Sequence, residues 1–433
     1  MIGPLVTAFG LCCAILIFVG LLGRDRIYQY PFLAGAVFAG FILPQVVGLS
    51  RDRFLPAGAM ESTLILAVLS ATMCWLGAAV VQRPTQLLNW AYDDHRLLIA
   101  SAALSAIGGY FYYAISRLPL EMLSNTQWTG LPVAYFFFAR VLTYGLAVAV
   151  LLYAKNRSKL ALLIIAYCTI FYLDRIVIGG RRQELVEFIV IFLLAFCFQR
   201  GWLLPRSAML VGIVMGVLLI NSIGDYRSAT MHPDGPRWEA VTDIDFMENL
   251  DNIAQEGGEE VRNAIYNIGA VSRTMNFDLG LYHWNALVFA YIPAQLVGAD
   301  LKQSFYISLP QPAFEEFFYT PVTGTTFTGL SDAFQSFWYF GCLKFFLIAF
   351  FMQKIWLAAR CGGMTAQLLY MLMVVHAMEA ITHTTQNFIN PWVHIAMFLL
   401  PALLLARRSS RSPGTGNISL PALIQTERVR NAS

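Results

Sequence analysis

Eleven stretches of this chain are apolar over about the length that crosses the hydrocarbon core of a bilayer, which takes roughly 20 residues as a helix. They lie at 3–22, 31–49, 62–81, 97–115, 131–154, 160–178, 184–199, 208–224, 333–352, 365–385 and 388–406. Inside lipid the backbone must satisfy its own hydrogen bonds, so such segments are read as helices. The chain is 58% hydrophobic and 13% charged, with a mean hydropathy of +0.60, whereas a soluble domain carries about 25% charge. An ordinary soluble globule, a secreted disulfide scaffold and a disordered chain are excluded. The expected fold class is therefore all-α: a polytopic integral membrane protein of about eleven transmembrane helices. The first run starts at Gly3 with no basic residue before it and no polar cleavage region, so it is read as a retained helix.

Orientation follows from Lys and Arg in the short connections. One side collects sixteen of them, from Arg24 and Arg26 through Lys155, Arg157 and Lys159 to Arg411, Arg428 and Arg430 in the tail; the other holds five, Arg51, Arg53, Arg117, Arg181 and Arg182. This bias places the N-terminus outside and the C-terminus inside. The division is 1–224 with eight spans, a large outward loop 225–332, spans nine to eleven over 333–406, and a cytoplasmic tail 407–433. Within the loop, 282–298 (YHWNALVFAYIPAQLVG) reads as an interfacial or re-entrant helix. The tail's Asn417 and Asn431 match a glycosylation pattern that has no meaning on the inner side.

Net charge is only +3, so no global field for nucleic acid exists. The seven cysteines form no CxxC pair or Cys/His cluster, and no P-loop, GxGxxG, HExxH or GxSxG occurs. No cofactor and no metal is expected. Asp243-Ile-Asp245 is a DxD string in an acidic loop, where a cation and a solvated turn are both open readings.

Ionisable groups at membrane depth are costly, and so mark sites. Asp174 and Arg175 close the sixth run, followed by Gly179, Gly180, Arg181 and Arg182 as the seventh begins. A helix N-terminus beside guanidinium forks can hold an anion, phosphate above all. The alternative is that these arginines anchor a helix end at the headgroups. Glu184 and Glu187 follow in the first turns. Arg227 stands where the eighth run exits, and Arg140 lies about ten residues inside the fifth, where it needs a partner or a polar cavity. Arg273 and Asp278 lie in the loop. Asp332, Ser336 and Tyr339 fall on one helical face by spacing. His383 follows Glu379 by four residues, so the two can meet as a base and its orienter, or as a plain ion pair.

GGRRQELVEF resembles the Gly/Ser-Gly-Arg element that opens a helix in the Wzy-type polymerases of O-antigen and exopolysaccharide repeat units. TGTTFTGLSDAFQSFWYFG is similar to that family's Gly-rich run before a span. The number of spans and the single large outer loop agree. The resemblance implies a GT-C-like membrane glycosyltransferase of the bacterial inner membrane, joining undecaprenyl-diphosphate-linked oligosaccharide repeat units at the outer face. Membrane lipid, a chain-length regulator and a flippase would be its partners. Arg175, Arg181, Arg182, Arg227 and Arg273 would hold the diphosphate. His383, Asp332 or Asp278 would be the base, and Trp128, Trp284, Tyr291, Trp338 and Tyr339 would meet sugars. An O-antigen ligase-type transferase and a lipid-linked oligosaccharide flippase or transporter are the alternatives. The ligases' His-Asn pair is echoed only by His283-Trp284-Asn285.

Overall fold

A computed structural model describes residues 2–119, 130–231, 235–310, 314–322 and 324–408. Trp128 and the tail from 409, with Arg411, Asn417, Arg428, Arg430 and Asn431, lie outside them. The described residues form helices and no strand; an isolated bridge joins Tyr92 to Arg407.

Among the described residues, nine helices are long and apolar enough to cross a membrane. They include α1 (Ile2–Leu22), α2 (Tyr30–Leu49), α3 (Ala59–Ala79), α4 (Asp94–Ser116), α5 (Leu131–Asn156) and α6 (Lys159–Ile178). The seventh run is a helix too, α7 (Arg182–Arg200). It fails as a clean apolar span because Arg182, Glu184, Glu187 and Arg200 ride on it. It nonetheless runs the depth of the body, from the Gly180 turn to Gln199, whose side chain bonds Gln367 at 2.5 Å. The eighth run is not straight: α8 (Arg206–Asn221) and α9 (Ile223–Thr230) form a pair bent by 62°. The ninth begins earlier than its apolar run, as α13 (Gly329–Phe337), breaks at Trp338, and continues as α14 (Cys342–Arg360). α15 (Met364–Thr382) and α16 (Gln386–Ala406) complete the set.

Helix ends follow local chemistry. The Asp93 carboxylate accepts from the backbone N–H groups of His95 and Arg96 and starts α4; Ser158 does the same for α6. Gly201, with φ +64°, ends α7. Exposure tells centre from rim. α15 is buried over 89% of its most apolar window, whereas α1 and α6 are buried over 22%, as expected of a central helix and of outward-facing ones.

The connections rich in Lys and Arg gather at one end. Lys155 pairs with Asp94 at 2.7 Å, Arg200 reaches the Lys155 carbonyl, Arg206 reaches that of Leu22, and Arg360 faces Asp25. At the opposite end the segment after α9 folds down as a cap. α10 (Phe246–Glu256) is started by Asp245, which accepts from the N–H groups of Met247 and Glu248. That spends half of the DxD string on a helix cap. α10 packs on α2, and α11 (Glu259–Thr274) packs between α3 and α13 with most of its residues buried. α12 (Leu281–Tyr291) is only 11 residues long and ends before Pro293, so it does not cross.

Candidate functional site

An internal space lies in the half of the bundle toward the cap, where α4, α5, α6, α7, α15 and α16 meet. It is a cavity of about 160 Å³. Its walls carry Arg140, Arg175, Glu184, Glu187, His376 and Glu379, with Asn387 and Asn390 from α16. A second hollow of about 10 Å³ continues past Arg140 and His376 to Tyr144. So many ionisable groups among apolar helices are expensive to bury and are expected at sites of function.

Arg140 sits where α5 is interrupted, between helical pieces Leu131–Ala139 and Val141–Asn156. It is surrounded by helices, yet its side chain keeps accessible surface because it faces the cavity. It makes no salt bridge among the described residues, although Glu187 and Glu379 both act on it electrostatically. Those carboxylates are held by other groups. Glu379 Oε2 lies 3.0 Å from His376 Nδ1, and Glu187 accepts from the Tyr172 hydroxyl at 3.3 Å, itself 2.8 Å from Thr143 Oγ1.

Arg175 is engaged differently. Its guanidinium forms a bidentate pair with Glu184 and lies over the rings of Tyr112 and Phe136, at 4.8 and 4.7 Å. It stands in a π-helical turn, Asp174–Ile178, a widened turn that often marks functional sites. The glycine turn then brings further arginines close to Arg175. Gly180 has φ +54°, and a Cβ there would come within 2.9 Å of Arg227 Cγ, so glycine is required twice over. Arg227 Nε donates to the Gly180 carbonyl at 3.2 Å, and the Tyr226 hydroxyl donates to that of Val177 at 2.7 Å. Arg181 is thereby crowded. Desolvation lowers its pKa, and the positive charge of Arg175, then that of Arg227, adds to the lowering. Arg182 senses Glu260 of the cap and Glu379 of the cavity.

The remaining expected site residues lie elsewhere. His383 makes no side-chain hydrogen bond to the Glu379 carboxylate, although that charge still acts on its ring: at the end of α15 its Nδ1 lies 2.8 Å from Thr382 Oγ1. Burial lowers its pKa. The Asp332–Ser336–Tyr339 face is broken at Trp338, whose φ is +53°. Asp332 turns to Thr385 and Lys344, while Tyr339 bonds Ser62 at 3.0 Å. Asp278 is buried in a turn, accepting from the Gly280 N–H at 2.8 Å. Arg273 pairs with Glu316 on the exposed cap. Trp284 donates to the Phe305 carbonyl, Tyr291 to that of Asn390, and Trp338 stands half exposed beside Tyr339. His376, Tyr172 and Thr143 line the cavity without having been singled out from the sequence; a histidine in the apolar run 365–385 was the available signal. No family model, no curated protein and no solved structure matches this chain.

Proposed function

We propose that this protein is a membrane glycosyltransferase that transfers a glycan from a polyprenyl diphosphate to a sugar hydroxyl at the extracytoplasmic face, as a polymerase of lipid-linked repeat units does. The observation that carries the reading is Arg140: a guanidinium inside an apolar helix, open to a cavity, with carboxylates beside it and with Arg181, Arg182 and Arg227 gathered at the glycine turn that follows Arg175 of the cavity wall. In the reaction, the bond from the anomeric carbon to the diphosphate oxygen breaks, and the electron pair leaves with the lipid diphosphate. The acceptor oxygen bonds the anomeric carbon and gives up its proton. Fixed guanidinium groups stabilise the charge growing on the leaving group, and the diphosphate supplies its own driving force, so no nucleotide is consumed. The His376–Glu379 pair or Glu187 takes the acceptor's proton, since a base must lie within reach of the proton that it removes. Arg175 holds the cavity wall together instead of binding ligand, because Glu184 already occupies its fork. The orientation that this reading needs agrees with the gathering of basic connections at the far end.

The test is extension. Purified protein given lipid-linked repeat units and no ATP makes a ladder of longer glycans. Substrate that changes leaflet without changing length marks a flippase instead. Cysteine-accessibility mapping that places Gly180–Arg182 in the cytosol overturns the reading.

A further inference from the structure

We propose that a one-way chain of hydrogen bonds, starting at Lys344 and passing through His283 and Gln386, orients Asn390 so that its two side-chain N–H groups face the cavity and bind phosphoryl oxygens of the lipid diphosphate. The ligand in this proposal rests on the function proposed above; the chain of bonds does not.

The direction is set at its start. Lys344 faces Asp332, with Nζ 3.5 Å from Oδ1, and an ammonium only donates. Its three protons meet three acceptors: His283 Nε2 at 2.8 Å, Ser336 Oγ at 2.8 Å, and Asp332. His283 Nε2 must therefore offer its lone pair. A neutral imidazole that accepts at Nε2 carries its proton on Nδ1. That proton points at Gln386 Oε1, 2.6 Å away. With its oxygen engaged, Gln386 donates through Nε2 to Asn390 Oδ1 at 2.5 Å. The Asn390 amide is thus oriented by the chain. The reverse orientation would set an N–H of His283 against the N–H groups of an ammonium.

Three helices meet in this chain. Lys344 is on α14, His283 on α12 of the cap, and Gln386 and Asn390 on α16. The Tyr291 hydroxyl of α12 donates to the Asn390 carbonyl, which fixes the backbone as well. Asn390 belongs to the wall of the cavity that Arg140 also lines, and its Nδ2 has no acceptor among the described residues. Two open N–H donors beside a guanidinium suit an anionic oxygen. Lys344, His283 and Gln386 are accordingly positioning residues, acting at a distance from the ligand.

Two measurements on the full-length protein in nanodiscs test this. In the first, ¹⁵N-histidine spectra at pH 7.5, with His283 assigned by its loss in His283→Gln, report the tautomer. A neutral ring protonated at Nδ1 supports the chain; a ring protonated at Nε2, or an imidazolium, overturns it. The second is titration with farnesyl diphosphate, with farnesol as the control. Asn390→Leu is expected to weaken diphosphate binding about tenfold, the worth of one hydrogen bond to a charged group. Lys344→Met combined with Asp332→Asn, which leaves no buried charge unpaired, should do the same without further loss when joined to Asn390→Leu. Lys344→Arg should retain affinity. Equal affinity across these variants overturns the proposal. A wild-type protein that binds no farnesyl diphosphate refutes the ligand and the function reading together, and the chain of bonds is then decided by the tautomer.

Discussion

Two polar regions lie a few residues apart at the cap end of the bundle, and they use their charges in opposite ways. Around Lys344, every proton has an acceptor: Asp332 takes the ammonium, the Thr385 N–H at 2.6 Å and the Thr385 hydroxyl at 2.9 Å, while His283 and Ser336 take the rest. Around Arg140, the carboxylates are only partly engaged and the guanidinium keeps open surface. Polar groups that satisfy one another specify a packing, and breaking them is costly. Polar groups with spare capacity in a hollow can meet a ligand. The presence of buried charge therefore does not locate a site here; unspent hydrogen-bonding capacity does.

The comparison can be broken experimentally. The largest effect is expected from Asp332→Ala, which strands Lys344 among apolar helices. Breaking a buried pair from one side costs about 3–5 kcal/mol, so the melting temperature in detergent should drop sharply, whereas Asp332→Asn with Lys344→Met should restore most of it. A single alanine variant that melts like the wild type would remove the structural half of the contrast. Next comes Arg140→Met, for which the pattern inverts: melting stays near the wild-type value while glycan extension falls by roughly 10²–10³-fold, the scale of losing one preorganised charge donor. Extension at the wild-type rate would remove the functional half. Arg181→Ala and Arg227→Ala, at the glycine turn, should each lower extension about tenfold at low salt, with a loss that shrinks as salt is raised in the assay. The smallest effect concerns pH. Burial, and then Lys344, lower the pKa of His283, and burial lowers that of His383. Both rings are neutral in the folded protein at pH 7. As pH falls through the ordinary value of 6.5, the unfolded chain takes up protons first, so stability declines from there down to the folded pKa and is flat above. Thermal melts between pH 7.5 and 5 should show this slope, and His283→Gln should make it shallower.

Much of the fold was legible because a membrane span is a matter of length. All eleven apolar runs fall in helices, nine helices among the described residues being long and apolar enough to cross, and the cap helix α12 stayed out of the core, as its short aromatic run implied. The site was less legible. Lys344 sits inside the run 333–352 at a depth as costly as that of Arg140, but its partner His283 is some 60 residues away, beyond what spacing can connect. The expected Glu379–His383 pairing falls at the end of α15, and nothing in Ile-Thr-His-Thr-Thr announces that the helix stops at Thr382. Likewise, no glycine or proline warns that Trp338 adopts φ +53° and rotates Tyr339 off the face of Asp332. Helix boundaries are set by tertiary contacts to within a few residues, and a face argument fails as soon as the boundary moves.

The engagement of Arg175 bears on how knockouts in this region should be interpreted. One side chain at the end of α6 grips α4 through Tyr112, α5 through Phe136 and α7 through Glu184. It works as a keystone: remove it and four helices lose their common point of reference, taking the doorway of the hollow with them. An inactive Arg175 variant would thus look like a lost phosphate ligand while reporting a collapsed frame.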